Sequence, residues 1–219
     1  CVCKSSCYSD CKMGNCCGSD STSEATAQTN APEKKKLKTI LVGEFGVGKT
    51  SLLVRFCDNE FDGSQQTVSI EGEFKQMDIE VNTGASKQIV TIQVWDSDGQ
   101  ERIKTITSGS YDSSDIIFLV FSMADESSFK AMDNWYREVE RYGPEKSVVM
   151  LLGNKLDKVN KEQAQVMREK AKQWMADNKI NISRYFETSA MEGSNVGQAF
   201  SEAAKAAIAK QSNFEPEEW

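Results

Sequence analysis

The sequence predicts an α/β protein with a mostly parallel β-sheet and helices on both faces of that sheet. Two observations support this prediction: short, strongly apolar runs alternate along the chain with longer segments whose apolar residues recur every three or four positions. A third observation is the glycine-rich loop GEFGVGKTS, which directly follows the first apolar run. Ligands bind such sheets at the carboxyl ends of the strands, so the loops after the strands are the first places to search for function.

The strands are predicted from local apolar patterns. The run LKTILVGE, which starts at Leu37, and the later runs DIIFLVFSM and SVVMLLGN are almost continuously apolar, as strands buried on both faces are. The segments EFKQMDIEV and KQIVTIQVW instead alternate between apolar and polar residues. Asn82 and Gly84 lie between these two segments, and this arrangement predicts a hairpin.

Three helices are predicted from apolar residues that recur at helical spacing. These residues are Phe129, Met132, Trp135, Tyr136 and Val139; Ala164, Met167, Ala171 and Trp174; and Val196, Phe200, Ala203, Ala204, Ala207 and Ile208. We interpret all three stripes as core residues.

The bulk composition argues against several functional classes. The chain has 219 residues, which suits one compact domain with some extra length, and 39% of its residues are hydrophobic. Its net charge of -7 argues against nucleic acid as a main partner, because phosphate backbones are bound by clustered lysines and arginines. No apolar run reaches the length of a membrane span, and none resembles a signal peptide, so we expect a cytoplasmic protein.

The cysteines are concentrated at the amino terminus. Six of the seven lie in the first 17 residues, and only Cys57 lies beyond them. This distribution does not fit a disulfide-built fold and indicates a reducing compartment. We expect a flexible Cys- and Ser-rich tail over residues 1–36, one domain over residues 37–211 and a short acidic tail over residues 212–219.

The loop after the first strand fits the phosphate-binding pattern G-x-x-x-x-G-K-[ST], with Gly43, Gly48, Lys49 and Thr50 at the required positions. The glycines allow backbone N–H groups to curl around phosphates, and the helix that follows offers free N–H groups and the positive end of its dipole. Lys49 would reach the β- and γ-phosphates, and the hydroxyl of Thr50 would ligate Mg²⁺. The loop predicts a nucleoside triphosphate as ligand but does not specify the base.

Two further motifs favour guanine. In GNKLD, after the fifth strand, Asp157 can accept from the N–H and amino donors of guanine, which adenine lacks at that edge. Asn154 and Lys155 would brace this site. In ETSA, after the sixth strand, the backbone at Ser189 and Ala190 would meet the guanine oxygen. N-K-x-D is weak alone, but the three motifs in this order, each at the carboxyl end of a strand, make a strong combined signal.

With these motifs, and with ERIKTITSGSY and DESSFKAMDNWYREVERYG, residues 37–211 resemble the Ras superfamily of small GTPases, and most closely the Rab family. The resemblance implies a three-layer P-loop NTPase fold, with a six-stranded sheet and five helices. It also implies a monomeric GTP/GDP switch with Mg²⁺ in membrane traffic, whose partners are exchange factors, GTPase-activating proteins and effectors. Gly46, Val47 and Ser51 would join the phosphate site. Phe61 would pack against guanine, and a simple core phenylalanine is the alternative.

The resemblance also accounts for the stretch DSDGQ, which follows the third strand. Asp96 would hold Mg²⁺ through water, the N–H of Gly99 would sense the γ-phosphate, and Gln100 would orient the attacking water. A calcium loop is excluded, because the first and last positions of such a loop lack carboxylates here. An acid/base pair is another interpretation, but nothing nearby in the sequence supplies a substrate for it.

Three positions depart from the family pattern. The family has a threonine that binds Mg²⁺, and either Thr67 or Ser69 takes its place here; residue type favours Thr67. Asp98 replaces a small residue beside the γ-phosphate, and Phe45 places a bulky ring in the phosphate loop. These departures raise a second function class, a hydrolysis-poor scaffold that binds guanine nucleotide and recruits partners. A third class, ATP-dependent phosphoryl transfer, is opposed by NKLD and ETSA.

The amino-terminal tail contains the sequence MGNCCGS, which begins at Met13. If translation starts there, Gly14 is a candidate for myristoylation, and Cys16 and Cys17 are candidates for palmitoylation. This pattern resembles a minority subgroup of endosomal Rabs that is acylated at the amino terminus. Metal binding by the cysteines and a tail with incidental cysteines are the alternatives.

Overall fold

The computed structural model describes residues 34–61, 74–82, 87–96, 111–180 and 184–212. Six strands form one sheet in the order β2-β3-β1-β4-β5-β6. All neighbouring pairs are parallel except β2 and β3, which confirms the predicted mostly parallel sheet. The strands are β1 (Lys35–Val42), β2 (Phe74–Asn82), β3 (Lys87–Asp96), β4 (Ile116–Ser122), β5 (Val148–Asn154) and β6 (Tyr185–Glu187).

Five α-helices lie in the described part of the chain, together with one 3₁₀ turn at Leu156–Lys158. The predicted three-layer α/β fold is therefore confirmed. The helices are α1 (Lys49–Asp58), α2 (Glu126–Lys130), α3 (Met132–Tyr142), α4 (Lys161–Asp177) and α5 (Val196–Ser212). None of the helices in these ranges is long and apolar enough to span a bilayer.

The core has two halves, one on each face of the sheet. On one face, α1 and α5 cover apolar residues of the strands, and Phe200 of α5 stacks on Phe56 of α1 with 3.9 Å between ring centroids. On the other face, α3 and α4 pack against the alternate residues of β1 and β4. All seven residues of β4 are buried, which explains its continuous apolar run, since helices cover both sides of this central strand.

The predicted hairpin is confirmed. β2 and β3 pair antiparallel from Phe74 opposite Trp95 to Asn82 opposite Lys87. The residues between them, including Gly84, lie outside the described ranges. On the face toward α5, β2 and β3 contribute Val81, Val90 and Val94 to the core.

Some boundaries differ from the sequence prediction. β1 begins at Lys35, two residues before Leu37, and α5 includes Ser212. The predicted helix around residues 129–139 is two helices that meet at Ala131. α2 begins early because the side chain of Asp125 accepts from the N–H of Ser127 at 2.9 Å and caps it.

Candidate nucleotide-binding site

The three loops that carry the sequence motifs lie together at one edge of the sheet. They follow the carboxyl ends of β1, β5 and β6, which run parallel within the sheet. Hydrogen bonds join them directly. Asn154 Nδ2 donates to the carbonyl of Val47 at 2.9 Å, and the N–H of Leu156 donates to the carbonyl of Thr188 at 3.1 Å. Motifs that are more than a hundred residues apart in the sequence therefore form one site.

The phosphate-binding loop has no room for a side chain at two of its glycines. Gly43 and Gly48 have φ angles of 150° and 97°. A Cβ at Gly43 would lie 2.1 Å from the carbonyl oxygen of Val120, and one at Gly48 would lie 2.5 Å from Nδ2 of Asn154. The loop thus packs closely on β4 and β5. Backbone rather than side chains shapes this part of the site, as phosphate binding requires.

Lys49 places a buried positive charge inside this loop. Its side chain is fully buried, and Nζ donates to the carbonyls of Gly43 and Glu44 at 3.0 Å each. Helix α1 begins at Lys49, and no side chain in the described ranges caps the helix at Gly48. The first N–H groups of α1, its dipole and the ammonium group together favour an anion at this point.

Asn154 connects the phosphate loop to the loop after β6. Its side chain is buried, with 1% of its surface exposed. While Nδ2 holds the carbonyl of Val47, Oδ1 accepts from the N–H of Ala190 at 3.2 Å and from the hydroxyl of Thr188 at 3.5 Å. The sequence predicts that the backbone at Ser189 and Ala190 meets the guanine oxygen. In the structure the N–H of Ala190 already has a partner in Asn154.

Lys155 and Asp157 belong to the same short turn after β5, with Lys155 at its start and Asp157 within it. Lys155 adopts a left-handed conformation with φ of 63°, and its Nζ donates to the carbonyl of Gly46. Burial lowers the pKa of Lys155, and the charge of Lys158 lowers it further. Asp157 accepts from the hydroxyl of Ser189, so a carboxylate and a hydroxyl are held together at this end of the site.

Two arginines anchor the loop after β6, and sequence reasoning missed both. Arg55, near the end of α1, donates from Nε to the carbonyl of Ala190 at 2.7 Å and from Nη2 to that of Met191 at 2.8 Å. Arg168, on α4, forms a two-pronged ion pair with Glu187, with N–O distances of 2.7 and 2.6 Å. Neither belongs to a local motif, because Ala190, Met191 and Glu187 are 19 or more residues away from these arginines along the chain.

Aromatic residues flank the site at two other points. In the phosphate loop, the ring of Phe45 is 63% exposed, and the neighbouring Glu44 accepts from the indole N–H of Trp135 at 3.2 Å. Phe61 follows α1 and is 39% exposed. This exposure does not fit the alternative that Phe61 is a simple core residue.

The predicted magnesium ligands are only partly described. Thr50 lies in the first turn of α1. Asp96 is the last residue of β3, where its backbone lies opposite Leu41 of β1, two residues before the phosphate loop. A hydroxyl and a carboxylate carried at these points fit a hard cation such as Mg²⁺, which prefers oxygen ligands. The side chain of Asp96 lies outside the described part of the structure. So do the residues Thr67, Ser69, Asp98, Gly99 and Gln100, and the lipidation candidates Gly14, Cys16 and Cys17.

Comparison with known proteins gives the family. The family model described as "Ras: Ras family" matches residues 38–209. The chain belongs to the Ras family. It is 40% identical over 183 residues to Ras-related protein Rab-9B of Homo sapiens, an alignment that covers 82% of this chain and 86% of that protein. It is 39% identical over 189 residues to Ras-related protein Rab-9A of Mus musculus, covering 84% and 89% of the two chains. To Ras-related protein Rab-13 of Rattus norvegicus it is 37% identical over 174 residues, covering 79% and 80%.

These relatives make this Ras-family chain a Rab-like small GTPase, an enzyme of the GTP hydrolase class. Membership of the family implies a GTP-dependent switch in vesicle traffic. Proteins of this family bind GTP and GDP with Mg²⁺, and they work with exchange factors, GTPase-activating proteins and effectors.

Proposed function

We propose that this protein binds GTP and GDP at the edge of the sheet where its three motif loops meet, and that it switches partners with the state of the nucleotide. The observation that carries the proposal is Asn154, because one buried side chain holds the phosphate loop at Val47 and the loop after β6 at Ala190. In this proposal the phosphates of the bound nucleotide lie on the first of these loops and its base lies against the second. Both ends of the ligand would therefore contact a single connected frame.

The phosphate end is assigned to the loop and the start of α1. Lys49 neutralises charge on the β- and γ-phosphates, and its buried position within the loop supports this role. Bound Mg²⁺ would offset further phosphate charge. Its ligands in this proposal are Thr50, Thr67 and, through water, Asp96. The loop backbone that contacts phosphate comprises Gly43, Gly46, Val47, Gly48, Thr50 and Ser51.

The base end is assigned to the two other loops. Asp157 accepts from the N–H and amino group of guanine, and the hydroxyl of Ser189 donates a hydrogen bond to this carboxylate. The side chain of Lys155, which contacts the phosphate loop at Gly46, covers the base on one side. The exposed ring of Phe61 packs against the edge of the base. The N–H of Ala190 shares its hydrogen between Asn154 and the guanine oxygen. This set selects guanine, because adenine offers no matching pair of donors to the half-buried carboxylate of Asp157.

An exchange of Asp157 for Asn tests the base assignment. An amide can donate to the second carbonyl of xanthine, where a carboxylate repels it. We expect Asp157→Asn to weaken GDP binding roughly 10²-fold and to improve binding of xanthosine diphosphate. Asp112→Asn, at an exposed carboxylate outside the site, is the matched control. Equal GDP affinity in both variants, or displacement of GDP by ATP, would contradict the proposed function.

Hydrolysis is assigned to a water oriented by Gln100, with Gly99 as the sensor of the γ-phosphate. The exposed ring of Phe45 supports a second candidate, a scaffold that hydrolyses GTP slowly, because a bulky group at this point of the loop obstructs an incoming arginine finger. Such a finger accelerates hydrolysis by about 10³ to 10⁵. Single-turnover hydrolysis by the parent protein and by a Phe45→Ser, Asp98→Ala variant separates the two. Faster turnover in the variant supports the scaffold, and equal, ordinary rates support a cycling switch.

The membrane assignment rests on the amino-terminal sequence. We propose that myristate on Gly14 and palmitate on Cys16 or Cys17 hold the protein on the cytosolic face of intracellular, endosomal membranes. One acyl chain binds a bilayer only marginally, and two hold firmly. Intact mass measurement of the protein isolated from cells tests this, and an unmodified amino terminus would rule it out.

A further inference from the structure

The loop after β6, residues 188–195, carries Ser189 and Ala190 and is held from two sides. On the strand side, Glu187 is fixed by Arg168, and its carbonyl accepts from Asn195 Nδ2 at 2.8 Å. Within the loop, the N–H of Gly193 donates to the carbonyl of Ser189 at 2.8 Å. These contacts fix the two ends of the loop. The middle, at residues 190 and 191, is held by a different element.

That element is helix α1, through Arg55. The half-buried guanidinium group reaches three backbone carbonyls: Nε donates to Ala190 at 2.7 Å, Nη2 to Met191 at 2.8 Å, and Nη1 to Asn59 at 2.8 Å. The side chain of Arg55 also passes Gly193, where an added Cβ would lie 3.5 Å from Cδ. A planar group with donors in fixed directions suits this arrangement, whereas a lysine carries its donors on one nitrogen.

Arg55 is linked to the Asp157 carboxylate through the loop after β6. Ala190 and Met191 follow Ser189, whose hydroxyl donates to Asp157 and accepts from the N–H of Glu192 at 3.0 Å. The position of the Ser189 hydroxyl, and with it the direction of Asp157, therefore depends on where the loop lies. Helix α1 begins at the phosphate loop, so Arg55 also connects the phosphate end of the site to the base end.

We infer that Arg55 is a positioning residue for nucleotide retention and base selection: it holds the loop at Ala190 and Met191 so that Ser189 aligns Asp157 with the guanine edge. This inference rests on the proposed function. We expect the loss of these hydrogen bonds from a charged donor to accelerate release of GDP by about tenfold or more.

The test compares release of fluorescent N-methylanthraniloyl GDP and IDP from the full chain in Mg²⁺. IDP lacks the amino group that would donate a hydrogen bond to Asp157, so the ratio of the two release rates reports the alignment of this carboxylate. In Arg55→Ala we expect faster GDP release and a ratio of IDP to GDP release that falls toward one. The matched control, Arg137→Ala, removes an exposed arginine from α3 and is expected to leave both values unchanged.

The outcomes are separable. Equal acceleration for both nucleotides, with the ratio unchanged, would show a merely structural role and overturn the inference, as would unchanged release from Arg55→Ala. Arg55→Lys is expected to behave like the alanine variant, and a wild-type ratio in it would also count against the inference. If Arg55→Ala does not fold, Ser189→Ala is the second variant, because it removes the hydroxyl that contacts Asp157. The ratio of IDP to GDP release must then fall in Ser189→Ala. A parent protein that retains neither nucleotide would overturn the proposed function itself.

Discussion

Removal of the Asn154 side chain is the most informative single perturbation of this site. Asn154→Ala takes away the donor to the Val47 carbonyl at 2.9 Å and the acceptor of the Ala190 N–H at 3.2 Å. Its contact with the Thr188 hydroxyl, at 3.5 Å, is at the limit of a hydrogen bond. Because the site of the side chain is buried, water does not readily replace these partners. Two backbone groups in two different loops therefore lose their partner at once.

The cost follows from these contacts. A buried donor or acceptor that loses its partner costs about 1 to 3 kcal/mol, so two such groups predict a loss of about 2 to 6 kcal/mol in the free energy of unfolding. In a chain of this size, that loss lowers the melting temperature by about 4 to 24 °C. Thermal unfolding followed by circular dichroism, without nucleotide and then with GDP and Mg²⁺, measures it. We expect a larger fall in melting temperature with GDP, because both displaced loops contact the ligand in the proposed complex.

Asn134→Ala is the matched control, since Asn134 is exposed on α3. It should melt within about 2 °C of the parent protein, because surface substitutions usually change the free energy of unfolding by less than about 0.5 kcal/mol. If Asn154→Ala also melts within that range in both conditions, the side chain does not hold the two loops together. The reasoning that joins the phosphate end of the site to its base end would then be refuted.

Two further predictions concern packing and the one cysteine in the described residues. Gly43→Ala should destabilise the protein by about 3 kcal/mol or more and weaken GDP binding, because the added Cβ would lie 2.1 Å from the Val120 carbonyl oxygen. Gly197→Ala in α5 should stabilise the protein by about 0.5 to 1 kcal/mol, because its Cβ would have nothing within 4 Å. Urea unfolding measures both changes, and a Gly43→Ala variant more stable than Gly197→Ala would contradict this prediction. Burial, together with the charge of Asp58, raises the pKa of Cys57 to about 11 from 9.0. The folded state therefore keeps a proton that the unfolded state loses, so this group's contribution to stability falls as pH rises from about 9 toward 11. Site-resolved alkylation should label Cys57 slowly at pH 8, and a rate equal to that of an unfolded cysteine would disprove it.

Much of the fold could be predicted from the sequence because its signals are local. β4 could be recognised from a continuous apolar run because it is buried on both faces, and the β2–β3 hairpin from an alternating pattern because one of its faces packs on the core. The split near Ala131 could not be predicted, since the apolar stripe from Phe129 to Val139 is compatible with one helix. In the structure the first helix ends at Lys130, where the N–H of Ala131 contacts the carbonyls of Ser127 and Phe129, and the second helix begins at Met132.

The sequence by itself determined which chemical groups this protein brings to its site: a glycine-rich loop with Lys49, the Asn154 to Asp157 turn and the TSA loop, each placed after a strand. These are short motifs, and the alternation of strands and helices already directs them to one edge of a parallel sheet. The tertiary structure alone decided how they are held. Arg55 on Ala190, Arg168 on Glu187 and the Asn154 bridge all join groups far apart in the chain. Hydrogen bonds depend on distance and direction in space, and no local pattern of residues encodes these until the chain has folded.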